Sequence, residues 1–173
     1  MTIHDSHPFL DPDPDPVRRL RGRLGGAVTL WTTGVGPARA GLTVSSLMVA
    51  NGEPARLLAL VDPDSDLAES LETGGRVAVT LLAWEHRDLA EAFAGTAPAP
   101  GGLFRQAAFE QTAWGPVLAG PRTWAGAVVE DAREVGWSVL LTCRVEEVTI
   151  ADDDQPLAHR RGRYVRPTPT HLL

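Results

Sequence analysis

Three hydroxyl groups fall within four residues in the run GLTVSS over residues 41–46: Thr43, Ser45 and Ser46. A strand edge furnished in this way can offer hydroxyls and backbone amides to a polar ligand while its other face packs in a core. By spacing alone, the same run is an ordinary half-exposed strand rich in β-branched residues. Ser45 has no assignable base as a nucleophile, and the GxSxG elbow of serine hydrolases is missing, as is a GxGxxG dinucleotide turn. The histidines, His4, His7, His86, His159 and His171, show no HxH, HExxH or Cys-His spacing, so no metal site is expected. All 16 basic residues are arginine. A chain without lysine forms neither a pyridoxal-phosphate Schiff base nor a Walker-type phosphate loop. The run HRRGRYVR carries Arg160, Arg161, Arg163 and Arg166, which suit a phosphate or a solvated basic edge.

The elements that must position these groups read as mainly β. Residues 1–16 alternate Asp and Pro through DPDPDP, a pattern that neither joins a sheet nor builds a helix, and are expected to be a disordered acidic tail. VRRLRGRL over residues 17–24 permits a short amphipathic helix ended by Gly25 and Gly26. AVTLWTT (27–33) predicts a strand, GVGP a turn, and ARAGLTVSSLMVA (38–50) a second strand, together a hairpin. RLLALV (56–61) has no polar alternation and predicts a strand buried on both faces. DPDSDLAESLETGG (62–75) holds a helix with Asp64 or Ser65 as cap. RVAVTLL (76–82) is a strand, and WEHRDLAEAFAG (84–95) a second helix. From TAPAPGG to about residue 120 the chain reads as a long lid or interface loop anchored by Phe104, Phe109 and Trp114. Strands follow near 122–131, 137–150 and 158–165, which makes a closed or nearly closed barrel with helical insertions.

At 173 residues, of which 43% are hydrophobic, the chain suffices for one core-bearing domain over residues 17–173. It holds no apolar run near the roughly 20 residues that span a bilayer, so no membrane segment is expected. The single cysteine, Cys143, reads as a small core residue, and with no secretory signal it points to a cytoplasmic location. A net charge of −6 argues against a nucleic-acid partner.

Over about residues 18–166 the sequence resembles the flavin reductase-like family of FMN-binding split barrels. The resemblance rests on five segments in family order: GAVTLWTTG, GLTVSSLMVA, RVAVTLLAWEHRDLAEAFAG, WGPVLAGPRTWAGAVVED and PLAHRRGRYVRP. It implies a Greek-key type split β-barrel with two or three short helices, working as a homodimer with flavin at the subunit interface. It also implies an NAD(P)H-dependent reductase of FMN, or of FAD, that supplies reduced flavin to a partner monooxygenase. Carried onto this sequence, Thr43, Val44, Ser45 and Ser46 would meet the flavin ring and ribityl chain. Asp62 and Ser65 would lie near the ribityl or phosphate end, and Thr80 and Leu81 would continue the flavin-lining strand. Arg87, with Phe93, Ala94 and Gly95, would flank the phosphate. Hydride transfer between stacked rings needs no side-chain acid or base, so no catalytic residue is assigned.

Three positions depart from the family pattern. Thr80 stands where the family usually has asparagine, Ser138 in GWSV where reductases often carry a histidine near the nicotinamide, and Arg160 where a histidine is frequent before R-G. Flavin binding survives such changes more readily than nicotinamide use, so the alternative is a split-barrel module that binds flavin, deazaflavin or haem without reductase activity.

Overall fold

The five residues TLWTT combine β-branched and aromatic side chains that no solvent-facing strand would require, and in the computed structural model all five are buried. The model describes residues 15–152 and 155–167, so most of the expected acidic tail lies outside the described residues. Helix α1 (Pro16–Leu24) begins one residue before its predicted start, because Pro16 suits the first helical turn and the Asp15 carboxylate accepts from the Val17 amide at 2.9 Å. Strands β1 (Gly26–Ala27) and β2 (Thr29–Thr33) then replace the single predicted strand. The break at Val28 arises because its amide donates to the Leu157 carbonyl while its own carbonyl accepts from Leu82, pinning two neighbouring segments.

The predicted second strand also divides, into β3 (Ala40–Val44) and β4 (Leu47–Ala50), with Ser45 and Ser46 between them. After β5 (Arg56–Val61) comes the short helix α2 (Asp66–Ser70), where the Ser65 hydroxyl accepts from the Ala68 amide at 3.2 Å, the cap expected from sequence. Strand β6 (Arg76–Leu81) leads through one 3-10 turn into α3 (Arg87–Phe93). The predicted long loop carries a two-stranded ribbon, β7 (Phe109–Gln111) and β8 (Pro116–Leu118). The chain finishes with the long hairpin β9 (Trp124–Val135) and β10 (Ser138–Thr149), then β11 (Ala158–Arg160) and β12 (Arg163–Val165) in place of one terminal strand.

Seven strands form one curled antiparallel sheet in the order β3-β2-β6-β9-β10-β5-β4. Strands β3 and β4, adjacent in sequence, occupy its two opposite edges, and the peptide through Ser45 and Ser46 joins them where no ladder does. That is the physical reason the predicted strand breaks: the chain must leave one edge and enter the other. The Ser46 carbonyl accepts from the Leu60 amide at 2.9 Å, which fastens the crossing to β5. Strands β1, β11 and β12 form a separate three-stranded sheet.

Alternation along β2 sends Trp31 to one side and Leu30 to the other, and each side has its own core. Trp31 packs inside the curl with Val44, Ala59, Val61, Val79, Leu141 and Cys143. Burial pushes the Cys143 thiol up to about 12, with the Glu130 charge adding to the effect, so it is a packing group as expected. Leu30 packs outside with Leu89, Ala90 and Phe93 of α3, along with Leu118 and Leu157. Phe104 and Phe109 meet the Phe93 ring edge-on, with centroids 5.2 and 6.1 Å away. Trp114 stacks obliquely on Trp124. The aromatic residues thus anchor the 96–120 region as their types suggest. Strand β5 departs from expectation: Leu57, Ala59 and Val61 are buried, whereas its other face is open and Leu60 is 41% exposed. The uninterrupted apolar run is therefore not explained by two covered faces within one chain.

Gly41 links these cores, since a Cβ there would lie 2.7 Å from Phe93 Cε1. Overpacking of this kind costs about 1–3 kcal/mol. Gly41→Ala is expected to lower the stability in urea denaturation by that amount; an unchanged midpoint would mean that α3 moves aside freely.

Candidate functional site

The Ser45–Ser46 crossing opens onto a groove of about 870 Å³. Its floor is the outward face of the sheet edge, where Leu58, Leu60 and Leu140 alternate with the buried residues of β5 and β10 and Met48 pairs with Leu58. The register places Leu60 opposite Leu140. Ser45 is exposed and Ser46 half-buried, and among the described residues neither hydroxyl has a hydrogen-bond partner. The opposite wall is α1 with the turn between β11 and β12, which bring Arg18, Arg21 and Arg161 to the groove. Gly26 permits this closeness: a Cβ there would stand 2.7 Å from the Ser45 carbonyl oxygen. The Arg161 amide donates to the Gly22 carbonyl at 2.7 Å and docks the helix on the turn. His159, also in the wall, is held below its ordinary pKa mainly by burial and then by the Arg21 charge, with Glu91 partly opposing.

Asp62 and Ser65, in the turn after β5, are not among the residues that line this groove, and their polar groups are already engaged. The Asp62 carboxylate accepts from the Asp64 amide at 2.9 Å, and the Ser65 hydroxyl donates to the Asp62 carbonyl at 2.7 Å while capping α2. Thr43 and Val44 turn away from the groove. The Thr43 hydroxyl donates to the Ala90 carbonyl of α3 at 2.7 Å, and Val44 lies in the inner core.

The remaining positions assigned by resemblance sit elsewhere on the chain. Thr80 is 1% exposed and its hydroxyl has no partner within the described residues, the condition that an asparagine at this position would also have to resolve. Leu81 borders a second cavity of about 350 Å³ with Glu85, Arg122 and Gln155. There Arg122 pairs with Glu85 at 3.2 Å while its buried Nε lacks a partner within the described residues. Arg87 lies over the Trp84 ring, 4.1 Å from its centroid, and donates to the Trp84 carbonyl at 2.7 Å. Phe93 is core, and Ala94 and Gly95 are exposed where α3 ends, with Gly95 at φ +75°. The chain therefore brings Ser45 and Ser46 to the groove and leaves the Asp62–Ser65 turn and the α3 group outside its lining.

Sequence reasoning missed the α1 arginines, His159 and the open face of β5. The basic helix and the basic C-terminal run were both visible, but only the fold sets them opposite the serines. Together they make an apolar floor, a hydroxyl-bearing edge and a cationic wall, which suits a planar aromatic ligand with an anionic tail. No cluster of three or more metal-ligating side chains exists among the described residues.

Residues 21–168 match the flavin reductase like domain family. An FMN reductase (NADH) RutF 2 of Methylorubrum extorquens (strain PA1) is 29% identical over 172 residues, covering 93% of this chain and 96% of its own length. The 4-hydroxyphenylacetate 3-monooxygenase reductase component of Pseudomonas aeruginosa is 24% identical over 156 residues, covering 87% and 89%. The solved structure of flavin reductase PheA2 in its native state shares the fold at 23% identity and a TM-score of 0.80, covering 91% of this chain and 99% of that one.

The two threonines nearest α3 and β6 separate structural from spare hydroxyls. Thr43→Val is expected to cost about 0.5–1.5 kcal/mol by removing one of the two hydrogen bonds that the Ala90 carbonyl accepts, the other coming from the Ala94 amide, whereas Thr80→Val removes a hydroxyl with no partner among the described residues and should be neutral or stabilising. Denaturant unfolding of the ligand-free protein checks the order, and a larger loss at Thr80 would refute it.

Proposed function

Because the chain belongs to the flavin reductase-like family, we propose that it is an NADH-dependent FMN reductase whose flavin lies against the Ser45–Ser46 crossing. The carrying observation is that a chain of this family places two hydroxyls without a partner among the described residues, an apolar floor and a cationic wall around one groove. When bound, flavin supplies the redox chemistry, taking a hydride from the nicotinamide and a proton from water. The chain's residues bind and orient. Ser45 and Ser46 offer hydroxyls to the polar edge of the ring system, Leu58, Leu60 and Leu140 exclude water from its apolar part, and guanidinium groups meet phosphate. No side chain in the groove is asked to donate or abstract a proton during hydride transfer.

The protein acts as a homodimer in this reading. The open face of β5 and Met48 of β4, 66% exposed and paired with Leu58, form an apolar surface that a second copy would cover. A flavin between two copies would also reach residues from two surfaces, which accounts for assigned positions that one protomer holds apart: Ser45 and Ser46 in the groove, Arg87, Ala94 and Gly95 outside it. The reduced flavin passes to a partner monooxygenase, as the name of the Pseudomonas relative suggests. FAD and NADPH remain the alternative flavin and hydride donor. A cytoplasmic location fits the lone, buried Cys143. Ser138, at the start of β10, favours one competing reading, a flavin-binding module that nicotinamide does not reduce, because it stands at the position of the family's frequent histidine.

Anaerobic titration of the FMN-loaded protein with NADH and, separately, NADPH is expected to bleach the flavin absorbance with NADH. Flavin that binds but stays oxidised with both donors would establish the binding module instead. In the same protein, at least one of Ser45→Val and Ser46→Val should weaken FMN by about tenfold, since a hydroxyl bonded to a buried ligand group is worth about 1.4 kcal/mol. Parental affinity in both variants, by fluorescence quenching, would move the flavin away from the crossing.

A further inference from the structure

Helix α1 contributes nothing to either core. None of its residues is buried, and its apolar side chains Val17, Leu20 and Leu24 are 71%, 60% and 76% exposed. Its place is nevertheless fixed, by the Asp15 cap at one end and the Arg161-to-Gly22 backbone bond near the other. Four of its nine residues are arginine, and Arg161 joins them at the same groove. None of these five guanidinium groups enters an ion pair among the described residues, although the described carboxylates engage Arg56, Arg122, Arg133 and Arg144. In a chain of net charge −6, gathering unpaired cations along one wall costs mutual repulsion that only an anion relieves. Arg18 and Arg21 are three apart and share a face with Gly22, which holds the Arg161 turn, so these three point the charge to one place. The groove's volume, about 870 Å³, lies in the upper part of the roughly 300–1,000 Å³ range of small-molecule sites.

We propose that Arg18, Arg21 and Arg161 form a diphosphate subsite that takes the pyrophosphate bridge of a dinucleotide. The subsite rests on the proposed flavin reductase reading and adds to it the second half of the ligand. Two dinucleotides carry the bridge: FAD, as the flavin itself, and NADH, as the hydride donor. Guanidinium groups spaced along a helix and a facing turn meet the oxygens of both phosphates, while a single phosphate engages only part of the set.

The test uses the full chain with Arg18, Arg21 and Arg161 all changed to Gln, and Arg76→Gln, on β6 and outside the lining of both cavities, as control. Fluorescence quenching gives Kd for FMN and FAD, steady-state kinetics at saturating FMN gives KM for NADH, and calorimetry gives the binding of ADP and AMP to the flavin-free protein. The triple variant is expected to lose at least tenfold in ADP affinity, with ADP preferred over AMP in the parent and the preference gone in the variant. If the bridge is the flavin's, FAD weakens at least tenfold and FMN far less; if it is the nicotinamide's, KM for NADH rises at least tenfold. Equal weakening of FMN and FAD with an unchanged KM, or no change in any of them, overturns the subsite. A parent protein that binds no flavin refutes the reductase reading alone, and the ADP comparison then still decides the subsite. Far-UV circular dichroism with parental helix content shows that the losses are not unfolding.

Discussion

Burial of β2 on both faces forces the rest of the chain to supply two separate coverings. On the inner side Trp31 needs a hydrogen-bond acceptor as well as apolar neighbours, and its indole donates to the Thr29 hydroxyl at 3.1 Å. That hydroxyl in turn donates to the Val44 carbonyl at 2.6 Å, at the last residue of β3 before the serines. The polar requirement of one large side chain thus fixes where the edge strand ends. On the outer side Leu30 requires α3, and the Thr43 hydroxyl ties that helix back to the same edge strand. The crossing at Ser45 and Ser46 inherits its position from both.

Much of this was legible in sequence, because hydrophobic period and turn chemistry are local. The runs 29–33, 56–61 and 76–81, the Ser65 cap, and the aromatic anchors of 96–120 all declare themselves through residue type and spacing. The breaks did not. GLTVSSLMVA has the same β-rich composition on either side of Ser45, and nothing in it says that its halves belong to opposite sheet edges, which is a property of closure rather than of propensity. RLLALV failed for the reverse reason. An apolar run reports that both faces are to be covered, but not whether the cover comes from the same chain. Leu58 and Leu60 face outward, at the groove.

Of the candidate groove, the hydroxyls and Arg161 stood out in the sequence, and the α1 arginines did not. Arg18 and Arg21 lie in a helix separated from Arg161 by most of the chain, and only the β1-β11 pairing, Gly26 with His159, brings them together. Several positions suggested by resemblance turn out to have work inside the protomer: Thr43 holds a carbonyl, Val44 and Phe93 fill cores, Ser65 caps a helix. Such roles do not oppose ligand contact through backbone atoms, but they do remove side-chain hydrogen bonds from what a ligand can claim.

Selectivity in such a site has to come from binding, because hydride transfer between stacked rings asks for no protein acid or base. His159 illustrates the constraint. Burial first and then the Arg21 charge hold its pKa below the ordinary value, with Glu91 partly opposing, so the groove wall disfavours a further cation there. An anion placed beside Arg21 would relieve part of that bias and make protonation easier.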